Sequence, residues 1–506
     1  MTDTKITGCT RKKEANYSHI LKYMGLFGSV QGLNILIGII RNKLVAILLG
    51  PEGMGFMSLL NSIIKLMSDS TNLGISMSGV KKISEAYEQN DKTTVNQTVR
   101  IVRFWSLLTA IAGMALCILL SPLLSRLSSD STDYTFYIIL ISPVVAMLAV
   151  TGGETAILKG TRELRSLASV SLYGVAATLV LSVPLFYIYG YRGIIPSLLL
   201  VAFAQMLITL NRSYRLFPLR LTNPRQTLSK GYDMIILGVA FVIAGIMGSG
   251  TEFLIRAYLN KVGGIDVVGL YNAGYMMTIT YAGMVFSAME TDYFPRLSAT
   301  GNDISQRNLT VNRQIEMSLL LLSPMLVAFM VGLPVLLPLL YSGKFMPAIG
   351  MMQVTTLALY LRAVKLPIAY LPLASGDSKS YLLLESIYDV VLLLLSIVGY
   401  TYWGGLTGMG LAILLTASLD FILLTAYTRW KYGYSISSPV IRYTLYQIPI
   451  GVIAYIVSIQ TQGVIYWGGG IALALLSAGI SVYTLHQKTK LWTKLKKKIT
   501  GKADRT

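Results

Sequence analysis

Residues 41–84, RNKLVAILLGPEGMGFMSLLNSIIKLMSDSTNLGISMSGVKKIS, hold the end of one apolar segment, a very short turn after Gly50 and a second apolar segment. The first segment reaches back to residue 20, so each is long enough for a helix that crosses a bilayer and the stretch reads as a helical hairpin. A related hairpin returns later. Glu52, Gly55 and Phe56 in the turn match Asp266, Gly269 and Leu270 at a spacing of 214 residues (266 − 52). Beyond the second segment, Val80, Lys82, Ile83 and Ser84 match Phe294, Arg296, Leu297 and Ser298 at the same spacing. Tyr189 and Gly190 fall on Trp403 and Gly404, again at that spacing, and Gly193 falls one residue off Gly408. One spacing shared by three separated places marks a duplicated unit.

With 54% hydrophobic and 13% charged residues in a chain of 506, the composition lies far outside that of soluble globular proteins and predicts an all-α polytopic membrane protein. The formal charge of +20 does not point to nucleic acid, because the basic residues sit in short segments between apolar runs, where they set orientation against the membrane. Cys9 and Cys117 make neither a metal-ligand spacing nor a disulfide framework, and His19 and His486 lie at opposite ends of the chain. Zinc sites and serine or cysteine triads lack their usual parts. Arg11, Lys12 and Lys13 precede an apolar stretch too long for a signal peptide, which reads as a retained first helix.

Fourteen spans are expected, at 20–49, 54–80, 104–125, 134–158, 165–189, 193–212, 232–261, 268–294, 315–341, 349–374, 380–402, 405–428, 441–460 and 464–485. The duplication makes 20–212 an N-terminal lobe and 231–430 a C-terminal lobe of six helices each, running in parallel because six is even, with two extra helices in 431–486. One set of loops carries nearly all the basic residues, among them Lys81, Lys82, Arg100, Arg103, Arg162, Arg165, Arg296 and Arg429, while the opposite set has Arg126, Arg192, Lys261 and Lys344. The bias places both termini in the cytoplasm: an N-terminal segment 1–19, a basic linker 213–230 with Pro218 and Pro224, and a basic tail 487–506. That tail reads equally as a surface helix on anionic lipid or as a stop signal.

Ionisable groups inside hydrocarbon cost roughly 2.5–3.5 kcal/mol on insertion scales, so they face protein or water. Here they form stripes at helical spacing: Gln31, Asn34, Gly38 and Arg41; Asn61, Lys65, Asp69, Asn72 and Ser76; Gly245, Ser249, Glu252, Arg256 and Asn260; and, more weakly, Asn272, Tyr275, Gly283, Ser287 and Glu290. These are the equivalent hairpins of the two repeats, and they predict a water-accessible cavity lined by the first, second, seventh and eighth spans. Its cations Arg41, Lys65 and Arg256 suit an anion such as phosphate. Counting back from Gly50 at about 1.5 Å per residue puts Arg41 roughly 13 Å below the surface. Lys43 lies off the polar face and snorkels outward. Lys65 with Asp69, and Glu252 with Arg256, are also i,i+4 pairs that could neutralise each other within one helix, and the spacing alone does not choose between pairing and ligand binding. Arg41 has no acidic residue within four positions. Glu385, Asp389 and Asp420 are expected to pack with Arg362 or Lys365, and Tyr187, Tyr189, Tyr400, Tyr402 and Trp403 to form interfacial belts.

The run RNKLVAILLGPEGMGFMSLLNSI at 41–63 and ETDYFPRLSA at 290–299 resemble the polysaccharide-export branch of the MOP (multidrug/oligosaccharidyl-lipid/polysaccharide) superfamily. The likeness is to bacterial O-antigen and related lipid-linked oligosaccharide flippases, the Wzx-like proteins. It implies a V-shaped, MATE-like carrier of the inner membrane that moves an undecaprenyl-diphosphate-linked glycan outward by alternating access, and it implies no catalysis. In relatives that flip lipid II, cavity arginines engage the diphosphate, one near the end of the first helix, and Arg41 occupies the matching position. Arg256 would be a second contact and Lys65 would stand in for a basic residue of the second helix, with Asn34, Asn61, Asn72, Ser249 and Asn272 lining the cavity. No cofactor is expected. A coupling ion, Na+ or H+, would be read by Asp69 or Glu252. Expected partners are the lipid-linked oligosaccharide, membrane lipids and other polysaccharide-assembly membrane proteins, without nucleic acid. The rivals are a multidrug antiporter of the same fold, whose organic-cation cargo calls for an acidic or apolar cavity, and a membrane glycosyltransferase or polymerase, which needs acidic or histidine groups in a large outer loop. A passive scramblase would share the polar groove without coupling.

Overall fold

The computed structural model describes the backbone of residues 3–89, 92–130, 133–218, 224–301, 303–460 and 462–489, and the side chains of these except 3–31, 35, 92, 224–241, 282, 284, 285, 287–292, 488 and 489. The side chains of Gln31, Ser287 and Glu290, the tail from 490 and most of the basic linker lie outside the described residues.

In chain order the α-helices are α1 (Asp3–Thr71), α2 (Ile75–Glu88), α3 (Lys92–Ser128), α4 (Thr135–Gly160), α5 (Leu164–Tyr189), α6 (Ile194–Leu216), α7 (Pro224–Gly263), α8 (Ile265–Tyr275), α9 (Tyr281–Ser298), α10 (Ile304–Leu340), α11 (Ile349–Ala374), α12 (Ser378–Tyr402), α13 (Gly405–Tyr432), α14 (Ser438–Gln460) and α15 (Gly463–Thr489). Eleven stretches of the described residues are long and apolar enough to cross a membrane. Two of them, Gly32–Thr71 and Leu164–Leu216, each contain a turn and hold two passes. The eighth pass is α8 and α9 joined by a π-helical turn at Met276–Thr280, so the helical plan agrees with about fourteen passes.

The turn in α1 falls at Gly50, whose φ of 66° and ψ of −169° are open to glycine and closed to most side chains. Pro51 follows, where a missing N–H costs a helix start nothing. The chain reverses there. Asn34 in the first arm meets Ser171 near the start of α5, Phe56 just past the turn stacks on Tyr191 beyond the end of α5, and Gly79 lies against Ala156 near the end of α4. The span expected at 54–80 is not one helix: it breaks after Thr71, where Leu73 and Gly74 take left-handed φ values, and resumes as α2. Apolar periodicity runs through such a break because the residues on both sides face the same core.

The duplication is carried by the backbone. Gly50 and Gly264 both take positive φ and lie 214 residues apart (264 − 50). α4 and α11 begin at Thr135 and Ile349, and α5 and α12 at Leu164 and Ser378, at that same spacing. α3 and α10 are each 37 residues long, with Pro122 and Pro334 at matching positions. At the turn before α5 the first copy holds Arg162 at φ 58°, where the second has Gly376 at φ 73°. The pairs α3 with α4, α4 with α6 and α5 with α6 recur as α10 with α11, α11 with α13 and α12 with α13.

Lipid tails are as apolar as leucine, so these pairs are held by close fit and small residues. A Cβ on Gly408 would stand 1.9 Å from the carbonyl oxygen of Gly399, and one on Gly193 would stand 2.4 Å from that of Leu185. The same crossing therefore excludes a side chain in both copies. By packing, the chain divides into two units, Met1–Val268 and Gly269–Thr506. The repeat boundary read from sequence lies at 213–230, whereas the packing boundary falls later, because α7 packs on α1, α2 and α3. In the first unit Ile83, Val95, Val99, Val102, Trp105 and Ile157 form a core, and in the second Leu319, Leu326, Leu359, Tyr360 and Ile368 do so.

Candidate functional site

The second arm of α1 has two faces of opposite character. Leu59, Leu60, Ile63, Ile64 and Met67 are buried, while Asn61 and Lys65 are exposed and Asp69 is half-buried, as are Asn72 just past its end and Ser76 at the start of α2. A polar face left uncovered on a spanning helix faces water, since hydrocarbon would penalise every group on it. Along this face the amide of Asn72 donates to Ser76 Oγ at 2.7 Å, and Asn61 stands open.

The polar stripe of α7 is its docking face. Arg256 is 7% exposed; its Nε donates to Ser58 Oγ at 2.9 Å and its Nη1 to the carbonyl of Glu252 at 2.9 Å. Lys65 Nζ lies 2.9 Å from Glu252 Oε1, across helices. Asp69 packs against Gly245 on α7. Ser249 is buried and spends its hydroxyl on the carbonyl of Gly245 at 2.6 Å. Nearer the Gly50 end, Asn260 donates to the carbonyl of Ser128 at 2.8 Å, and Lys261 pairs with Asp130 at 2.7 Å. Lys65 therefore takes its partner from another helix and not from Asp69 one turn away, so the alternative of pairing within one helix fails for Lys65 and holds for Glu252 with Arg256. Arg256 keeps a contact with Glu252 Oε2, at 3.7 Å. Ser58 was not among the expected site residues, although a lone hydroxyl in the apolar run 56–60 is the signal that a buried arginine needs an acceptor there.

Arg41 differs from both. It is half-buried in the first arm of α1, and its Nε is buried without a hydrogen-bond partner. Among the described residues no hydrogen bond or ion pair reaches it. Two turns earlier on the same face, Asn34 donates to Ser171 Oγ at 2.5 Å and leaves its own Oδ1 buried and unbonded. The first unit thus brings Lys65, Glu252, Arg256, Asp69 and Ser249 together and leaves Arg41 open. Asn272 is half-buried on α8 in the second unit.

Arg103 had been expected among the orienting loop charges. It is instead buried inside an extended α3, bidentate to Glu154 at 2.8 and 3.1 Å, bonded to Ser213 and to the carbonyl of Phe217, and stacked 4.2 Å from the Tyr214 ring. It ties α3, α4 and the end of α6 together. A partner 51 residues away leaves no trace in local spacing.

Among solved structures, an inward-facing multidrug-resistance MATE transporter of the MOP superfamily has a TM-score of 0.68 at 15% identity, covering 79% of this chain and 94% of its own. The lipid II flippase MurJ in an inward closed conformation has a TM-score of 0.65 at 15% identity, over 92% of this chain and 99% of its own. A MOP superfamily transporter from Pyrococcus furiosus, described as having a binding pocket of reversed polarity, has a TM-score of 0.57 at 16% identity, over 81% and 94%. No curated protein sequence matches the chain significantly. The fold is that of the MOP superfamily. The family profile described as polysaccharide biosynthesis protein matches residues 44–350, more than half of the chain, and the chain belongs to that family. Family and fold together support a MOP-type transporter or flippase.

Proposed function

We propose that this chain is a flippase that carries an undecaprenyl-diphosphate-linked oligosaccharide, an O-antigen or other surface-polysaccharide repeat unit, from the cytoplasmic to the periplasmic leaflet of a bacterial inner membrane. Alternating access moves the sugar and diphosphate through a polar path while the lipid tail stays in the bilayer. The observation that carries this reading is Arg41, an intramembrane guanidinium with a buried, unbonded Nε and no carboxylate partner among the described residues. A planar fork of donors in that state suits paired phosphate oxygens. The family of polysaccharide biosynthesis proteins supports a glycan cargo, and the likeness to a lipid II flippase over 92% of the chain supports a lipid-linked one. A multidrug antiporter, whose cargo is cationic, would place an unpaired arginine against its own substrate. An inside-negative potential assists outward movement of the anion, by about 2.3 kcal/mol per charge for 100 mV. Coupling to Na+ or H+ would reset the carrier, with Asp69 and Glu252 as the candidate groups.

The test uses purified protein in proteoliposomes with a fluorescent lipid-linked oligosaccharide, following access of an external enzyme to the label with and without an imposed potential. Movement that depends on the potential and disappears in Arg41→Ala, while the variant keeps its unfolding temperature, is the expected result. Unchanged movement would remove Arg41 from the site. Export of a cationic dye with no movement of the glycan would return the protein to the drug antiporters.

A further inference from the structure

Arg362 stands at the middle of α11, 13 residues past Ile349 (362 − 349) and 12 before Ala374 (374 − 362), so about 18–20 Å of helix lies on either side of it. A guanidinium at that depth does not face lipid, because hydrocarbon penalises it and its side chain is too short to snorkel to either surface. The carboxylates expected to neutralise it do not bond it. Asp420 pairs with Lys365, Glu385 feels the charge of Arg362 only through space, and among the described residues no hydrogen bond or ion pair reaches the guanidinium. It is held instead by an aromatic face. Its Cζ lies 5.5 Å over the Phe286 ring, and Gly283, one turn earlier on α9, leaves room for its Nη2, which lies 3.7 Å from where a Cβ would stand. Stacking uses the flat face of the fork and leaves the edge, where the donors point, for acceptors.

Phe286 also lines a cavity of about 10 Å³ between α9, α10 and α11, together with Tyr293, Tyr370, Gln314 and Leu366, the last one turn from Arg362. A cavity of that size admits one water-sized group. The Tyr293 hydroxyl is already spent on the carbonyl of Pro367, at 2.7 Å. Gln314 is only 9% exposed, and among the described residues no hydrogen bond reaches its amide. A buried amide without a partner calls for one. We propose that Arg362 and Gln314 form a subsite of the second unit for a phosphorylated sugar: the fork of Arg362 takes phosphate oxygens, and one ring hydroxyl enters the aromatic-walled cavity and bonds Gln314. A hydroxyl both donates and accepts, so it satisfies either end of the amide. The inference rests on the proposed function for its natural ligand, a glycan joined to a diphosphate, and gives the second unit a reader of its own beside Arg41 in the first. Gln314 makes the sugar count, because a phosphate without a placed hydroxyl leaves the amide unpaired.

Calorimetry on the purified full-length protein in phosphatidylcholine nanodiscs, with glucose 1-phosphate and methyl phosphate as probes, tests the subsite. The wild type should bind glucose 1-phosphate more tightly than methyl phosphate. Gln314→Leu should bind glucose 1-phosphate about fivefold more weakly and methyl phosphate as before, the size of one neutral hydrogen bond. Arg362→Gln, or Arg362→Lys should the neutral side chain not fold, should bind both probes at least about fivefold more weakly, since the fork to the phosphate is gone. No binding to the wild type, a Gln314→Leu variant that loses both probes equally or neither, or unchanged binding in the Arg362 variant would each overturn the proposal. Phosphatidylglycerol also sets a hydroxyl beside a phosphate and is the rival source of this chemistry. Equal glucose 1-phosphate binding in phosphatidylglycerol and phosphatidylserine nanodiscs of matched charge supports the sugar phosphate, and binding lost only in phosphatidylglycerol gives the site to the lipid headgroup and overturns the proposal. The flippase reading fails separately: this binding pattern in a protein that moves no lipid-linked oligosaccharide in proteoliposomes keeps the subsite and rejects the transport.

Discussion

Lys365 with Asp420 in the second unit and Lys65 with Glu252 in the first are both ion pairs between spanning helices, yet they belong to opposite classes. Lys365 bridges α11 to Asp420 on α13 with side chains 16% and 6% exposed, and its ammonium also lies 4.5 Å over the Tyr388 ring. Lys65 and Glu252 are 51% and 34% exposed. A third pair, Asp377 with Lys431, lies between them at 23% and 39%, at the turn between α11 and α12. Buried, a pair is a structural joint whose halves cannot be separated, because each would be left as a charge in low dielectric. Exposed, it is a contact that water or another ion can replace. A lysine with a carboxylate therefore holds one unit together and, in the other, makes a contact that can be exchanged.

The comparison breaks most visibly at Asp420. Asp420→Ala should cost about 3–5 kcal/mol of stability by removing the direct partner of buried Lys365 and leaving it only the more distant charge of Glu385, read as a lowered unfolding temperature in detergent micelles. Lys365→Met together with Asp420→Leu should recover most of that loss, since an apolar pair of similar volume needs no partner. A harmless Asp420→Ala would mean that water reaches this pair and that burial does not separate the two classes.

Asp377 sharpens the middle of the series through pH. Its carboxylate accepts from Lys431 at 2.6 Å, from the Ser380 hydroxyl and from Tyr432 Oη, and those bonds, the lysine first, hold it well below the usual carboxylate range. A carboxyl whose folded value is depressed adds stability that is complete above its unfolded value, about 3.9, and is lost as pH falls through the folded value. Asp377→Asn should therefore be less stable than wild type at pH 7, with the gap beginning to narrow below about pH 4 and still narrowing at about pH 3. A gap that stays constant with pH would assign the effect to lost hydrogen bonds and not to charge.

Much of this was legible in the chain, and for a definite reason. A duplicated unit keeps its turns where backbone geometry demands them: the matches around Glu52 and Asp266 lie beside Gly50 and Gly264, which both take positive φ, and the near-match of Gly193 and Gly408 falls on a close crossing, although neither feature was read from the sequence. Asn61, Lys65 and Asp69 lie together on the less buried side of the second arm of α1, as their spacing implies, because period and exposure are properties of one helix, while Asn72 and Ser76 fall beyond its break. Spacing says nothing of what stands opposite. Lys65 has an acid four residues on and takes another 187 residues away. Glu252 was left open between pairing with Arg256 within its helix and an ion-coupling role, and it both contacts Arg256 and bridges outward to Lys65. Arg103 looked like a loop charge because hydropathy does not register a helix that continues past the apolar span to meet Glu154. Lys365 and Asp420 were matched from sequence only as members of a small set of late-helix charges, and packing chose the pair.

The smallest effect belongs to Lys65 and Glu252, the most exposed pair of the series. Lys65→Gln or Glu252→Gln should change the unfolding free energy by less than about 1 kcal/mol, because a half-exposed pair yields little in high dielectric and neither group is stranded when the other is removed. Raising salt from 0.1 to 1 M shortens the screening length from about 10 to 3 Å and should leave these variants indistinguishable from wild type, while the Lys365–Asp420 joint is unaffected. A loss of the size predicted for Asp420→Ala would make Glu252 a structural anchor of α7.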